Sequence, residues 1–119
     1  MPGYPDTTTV TATIAAGGSL SGKVTLPLGY YLAALVMPSA WTAADLTFQI
    51  SADNATFADF YDNAGVEITV PAAASRAIML DSDTWRAVRF LKVRSGTSAT
   101  PVNQSSSRTI TLICRMAQP

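Results

Sequence analysis

The sequence predicts an all-β single domain, an antiparallel β-sandwich or jelly roll of about eight or nine strands. Three observations carry this: runs that alternate with period two, turn residues between the runs, and polarity supplied by Thr and Ser rather than by charge. Of the 119 residues 48% are hydrophobic, enough to bury a core without disulfides or metals. Only 13% are charged, against about a quarter in ordinary soluble domains. That balance suits a flat, weakly charged surface that packs against neighbours.

Residues 1–6, MPGYPD, hold two prolines and a glycine and read as a flexible arm; the sandwich is predicted over 7–119. In TTTVTATIA, residues 7–15, Val10, Ala12 and Ile14 share one face and Thr9, Thr11 and Thr13 the other. A GGS turn leads to a second strand over 20–26, with Val24 and Leu26 inward. Residues 30–37 are continuously apolar, the pattern of a strand covered on both faces. LTFQIS, 46–51, alternates cleanly and is followed by the turn ADNA and an aromatic strand over 57–61, a predicted hairpin. A DNAG turn precedes a strand over 67–70, and a further strand is expected over 76–80. Residues 81–88 predict one helical turn, because Asp81 or Ser82 can cap it. Strands over 89–94, with Leu91 and Val93 inward, and 108–115, with Ile110, Leu112 and Cys114 inward, flank a Ser/Thr-rich loop.

Several chemistries are excluded or disfavoured at this level. There is no histidine, which removes the commonest general base and metal ligand, and with it any Ser-His-Asp or Cys-His arrangement. One cysteine and no histidine leave no ordinary zinc site, and no glycine-rich phosphate cradle opens a helix. No cofactor and no enzymatic activity are expected. Asp59 and Asp62 flank Phe60 and Tyr61 in the manner of a glycosidase pair, yet DNAG is an ordinary turn and Asp59 an ordinary strand residue. Asp53-Asn54 offers oxygens of the kind calcium takes, but a hairpin turn uses the same residues. Zero net charge disfavours nucleic acid and anionic membranes as partners, and no apolar run reaches 18 residues. No signal-peptide pattern opens the sequence, and the lone Cys114 points to synthesis in a reducing cytoplasm.

The zero net charge hides a segregation. From Asp45 to Asp83 there are seven acids and one base, Arg76; from Arg86 to Arg115 there are six bases and no acid. Two readings follow, beside a third, nucleic-acid binding by Arg86, Arg89, Lys92 and Arg94, which the equal acid content disfavours. The halves pair as cross-strand partners within one sandwich, or acidic and basic patches lie apart and meet between subunits.

The stretch SAWTAADLTFQISADNATFADFYD, then GVEITV, RAIMLDSDTWRAVRFLKVRSG and RTITLICR, resembles a group of small tailed-bacteriophage proteins encoded near virion structural genes. The order of elements also resembles the discoidin or galactose-binding-like jelly roll, in which an S-x-D turn precedes an aromatic strand and a later Arg-Phe-x-Lys strand. The first resemblance implies a virion component, made in the bacterial host cytoplasm: a capsid decoration (cement) protein, a head-fibre base or a tail-associated module. Its partners would be the major capsid protein or other virion proteins and further copies of itself, as a trimer. The candidate protein contacts are Pro2, Tyr4 and Pro5 in the arm and Arg86, Arg89, Lys92 and Arg94 around the basic strand. The second implies a carbohydrate-binding module, with Trp41, Tyr61 and Trp85 as the aromatics that would stack on sugar. If oppositely charged patches meet between subunits, self-association weakens between about 0.05 and 1 M salt, where screening shortens several-fold; sedimentation across that range is the check.

Overall fold

Alternating apolar and hydroxyl side chains give each strand one dry face, and two layers are needed to cover such faces. The computed structural model, which describes residues 5–117, meets that need with eight strands. They are β1 (Thr7–Ile14), β2 (Val24–Thr25), β3 (Tyr30–Val36), β4 (Leu46–Ser51), β5 (Phe57–Asp59), β6 (Ala77–Met79), β7 (Phe90–Ser95) and β8 (Arg108–Met116). One sheet runs β1-β8-β3-β6 and the other β2-β7-β4-β5. Every pairing between these strands is antiparallel.

The order has a simple logic. β4 pairs with β5, β3 with β6, β2 with β7 and β1 with β8, so the chain is one long nested hairpin rolled into two layers. That is the jelly-roll form of the β-sandwich. The inward faces meet in a core that includes Ile14, Leu32, Leu35, Leu46, Phe48, Leu91, Ile110 and Leu112, all fully buried. Cys114 lies in it on β8, and burial alone raises its thiol pKa.

The helical turn falls where the sequence puts it. In α1 (Ser82–Trp85) the Asp81 carboxylate accepts from the Asp83 N–H, and Trp85 drops into the core at the helix's end. Its ring meets Phe48 and Phe60 edge-on, with centroids 4.7 and 5.2 Å away.

Three predicted strands differ. In the run 20–26 only Val24 and Thr25 form a ladder with β7, because the Ser21 hydroxyl takes the Val93 N–H at 2.9 Å in place of a backbone carbonyl. Residues 67–70 make only the isolated bridges Tyr61↔Glu67 and Leu46↔Val70, since a turn at 62–65 and Pro71 leave no room for more. The apolar run 30–37 is not covered on both sides. A register shift between Leu32 and Ala34 puts Leu32 and Leu35 inward, while Tyr31, Ala33 and Val36 stay half-buried.

Of the predicted arm, Pro2 and Tyr4 lie outside the described residues. From Pro5 onward the chain is joined to the sandwich: the Tyr30 hydroxyl donates to the Pro5 carbonyl at 2.8 Å, and the Met116 N–H to the Asp6 carbonyl at 2.8 Å.

The loops at one end converge on Gln104, which is fully buried. Its Nε2 donates to the Thr42 carbonyl (2.9 Å) and to Ser95 Oγ (2.7 Å), and its Oε1 accepts from the Thr42 N–H and from Arg108 Nε. Its backbone bonds Gly17 and Gly18. Beside it Gly96 has φ +87°, and a Cβ there would fall 2.5 Å from the Thr100 carbonyl oxygen. Gln104→Ala strands several buried polar groups and is expected to cost about 2–4 kcal/mol, and Gly96→Ala a similar amount through strain and clash. Urea denaturation of the two variants measures both.

Candidate interaction surfaces

Strand periodicity gives β7 a polar phase made of Phe90, Lys92 and Arg94, turned away from the core. Arg94 does not reach solvent there. It stands opposite Thr47 on β4 and is 6% exposed, because residues 59–67 and 96–101 fold over it. Its guanidinium donates to Asp59 Oδ1 through Nη2, and through Nη1 to Glu67 Oε2 and Thr47 Oγ1, each at 3.3 Å. Glu67 in turn accepts the Ser98 N–H, and the Tyr61 hydroxyl meets Ser98 Oγ at 3.3 Å. The Thr47 hydroxyl is spent on the Gly96 carbonyl at 2.7 Å. One cation thus ties two loops to the sheet. Arg94 is therefore not available as an exposed protein contact, and the reason is this intrachain ion pairing.

The remaining basic candidates stay at the surface. Lys92 is half-buried with its ammonium 4.6 Å from the Phe57 ring, and Lys23 approaches the same ring at 6.0 Å. Arg89 and Arg86 are exposed, each 5.0 Å from an aromatic ring, Phe90 and Tyr31 respectively. Among the described residues only Arg94 makes ion pairs, with Asp59 and Glu67. Cross-strand pairing inside the sandwich accounts for that one base, and among the described residues the other bases form no ion pair.

The carboxylates have structural partners. Asp62 Oδ1 accepts from Ala64 and Val66 and so starts its turn. Asp53 is held down to about 2 by the N–H groups of Thr56 and Ala55 and by the Ser51 hydroxyl. The Arg94 guanidinium lowers the Asp59 pKa against a smaller opposing effect of burial. Asp59 is thus an ion-pair partner rather than merely a solvated strand residue. Among the described residues no three His, Cys, Asp or Glu side chains stand together as a metal set.

The three aromatics proposed for sugar stacking do not form a platform. Trp85 is 1% exposed and belongs to the core, because the single turn of α1 aims it inward. Trp41 packs partly against the core and donates its indole N–H to the Ala44 carbonyl at 3.0 Å. Tyr61 alone is well exposed, at 47%.

Two surfaces stand out instead. The outer face of the β1-β8-β3-β6 sheet follows from the register: Thr9 beside Ile113, then Ala34, then Met79; Thr11 beside Thr111, then Val36, then Ala77. Of the outward strand residues only Arg115 is charged, and it sits at one margin, opposite Tyr31 and near Arg86. The second is a groove of about 400 Å³ between residues 67–71, β6 and α1. Ile68, Val70, Ile78 and Leu80 give it apolar walls, Asp62, Glu67 and Asp81 give it acid, and no base lines it. Met79, 80% exposed, stands on its lip. The strand-phase alternation carried the first surface in the sequence; the groove joins residues distant along the chain and left no local signal.

With its pKa lowered in the fold, Asp59 contributes stability that is present above the usual carboxylate pKa and lost as pH falls through its folded value. The wild-type chain is expected to lose stability as pH falls below about 4, and Arg94→Met, lacking the guanidinium, to lose less over the same fall. Denaturant unfolding at neutral pH and in acid checks the sign. At neutral pH Arg94→Ala leaves two carboxylates without their cation and is expected to cost about 2–4 kcal/mol.

No family model, no curated protein and no solved structure matches the chain.

Proposed function

We propose that this chain is a non-enzymatic structural protein of a tailed-phage virion, a capsid decoration or head-fibre-base protein that binds the capsid lattice and itself. The observation that carries the reading is the outer face of the β1-β8-β3-β6 sheet, where Thr, Ala, Val, Ile and Met side chains lie in rows without charge. Strands of that length and alternation in a freely solvated sheet ordinarily carry charged side chains outward. A flat uncharged face of hydroxyl and methyl groups is suited to contact with another protein surface, where charge at the centre is depleted. The sequence segments that resemble small phage proteins point the same way, and jelly rolls serve viral capsids as well as lectins. Asp59 and Asp62, the carboxylates spaced like a catalytic pair, are engaged in an ion pair and a turn, which supports a role without catalysis.

The carbohydrate-binding alternative, a module of a tail or host-attachment apparatus, retains Tyr61 as its one exposed aromatic candidate. With Trp85 in the core and Trp41 partly packed, the stacking surface it needs is small.

In this reading the chain is found in purified virions by proteomics, and purified protein rebinds particles stripped of it. Its absence from intact particles would sink the proposal. Thr111→Lys, at the centre of the uncharged face, is expected to weaken rebinding at least about tenfold while leaving the fold intact, as measured by cosedimentation with particles.

A further inference from the structure

Three of the bases that form no ion pair, Arg86, Arg89 and Arg115, lie around one turn of the chain. The Leu26 N–H bonds the Arg89 carbonyl at 2.8 Å, and Tyr31 stands opposite Arg115 and under the Arg86 guanidinium. Between Leu26 and Tyr30 the chain makes a turn whose tip is Leu28, 76% exposed. The turn is fastened at both feet: the Tyr30 N–H bonds the Pro27 carbonyl at 3.1 Å, and the Ala117 N–H bonds the Gly29 carbonyl at 2.7 Å. Asp6 also lies at this end, and its backbone carbonyl holds the Met116 N–H. A single exposed leucine is ordinary on a protein surface. A fixed leucine in a basic surround becomes informative when the same molecule carries an apolar groove edged only by acid.

That groove lies at the side of the sandwich between β6, residues 67–71 and α1, and shares no residue with the Leu28 turn. Its apolar walls suit an aliphatic side chain, and Asp62 and Asp81 bring negative charge to it with no base among its lining residues. We propose that the groove receives the Leu28 turn of a second copy of this chain, with Arg86, Arg89 and Arg115 of that copy facing the acids. The inference deepens the self-association in the proposed function, but it concerns the purified chain alone. Knob and groove occupy different surfaces, so the contact is head-to-tail and each added copy leaves one free knob and one free groove until a ring closes. Both halves are held in place before they meet, which lowers the ordering cost of association. Opposite charge fixes which end enters the groove.

The experiment is light scattering on the wild-type chain, Leu28→Asp and Met79→Arg at about 0.1 mM and low salt. Both substitutions fall on highly exposed side chains, so unchanged thermal unfolding confirms that the variants fold. The wild-type chain assembles, and each variant weakens association at least about tenfold. An equimolar mixture of the two variants gives a dimer and nothing larger, because Leu28→Asp keeps its groove and Met79→Arg keeps its knob. A monomeric wild-type chain, assembly that survives either substitution, or a mixture that stays monomeric overturns the inference. Thr111→Lys separates the two proposals: it leaves this assembly intact while weakening particle binding. A chain missing from virions that still assembles in this pattern removes the virion role alone.

Discussion

The last strand holds the molecule together. β8 lies between β1 and β3, pairing with the first over Thr7–Ile14 and with the second over Tyr30–Val36, so both of its edges are used. Its inward residues Ile110, Leu112 and Cys114 are fully buried, and its outward Thr109, Thr111 and Ile113 form the middle of the uncharged face. Without β8, β1 has no partner strand and β3 keeps only the short β6. This outermost pair of the nested hairpin completes the first sheet.

The two layers are specialised by what their outer faces carry. One is almost free of charge, and on it the hydroxyls of Thr13 and Thr109 meet across strands at 3.1 Å. The other carries Arg94 beneath two loops, with Lys92, Lys23 and Arg89 resting on aromatic rings nearby. Burial of a guanidinium costs several kcal/mol unless its donors are met, and here two carboxylates and a hydroxyl meet them. What that arrangement supplies is position: the loops carrying Tyr61 and Ser98 are set against the sheet by a charged contact rather than by apolar packing.

The strands of strict alternation were legible in the sequence because one residue in two is dry there. β1, β4 and β8 have nearly the expected bounds, and Asp81 announced α1. The run over 30–37 misled because a bulge changes its phase at Leu32 and because its outward neighbours are also uncharged, so nothing polar marks the wet side. The burial of Arg94 was not legible. Its place on the polar phase of β7 is right, but only the folding of residues 59–67 over the sheet decides that the polar phase is covered. Gln104 was hidden in a Ser/Thr-rich loop for the same reason, since its partners Thr42, Ser95 and Arg108 come from three separate segments. The exposure of Leu28 and Met79 was not legible either, since an apolar residue in a turn or a strand carries no local mark of whether it is covered.

Placing the central strand at the chain's end has a consequence for synthesis. Everything before residue 108 can emerge from a ribosome and form the local β4–β5 hairpin, while the first layer waits for its middle. Pairings so distant along the chain close slowly and after the local ones. The uncharged face has no centre until residues 108–116 arrive, so an unfinished chain cannot present it to a neighbour. Completion of translation thus gates the uncharged face, and truncated products lack its middle.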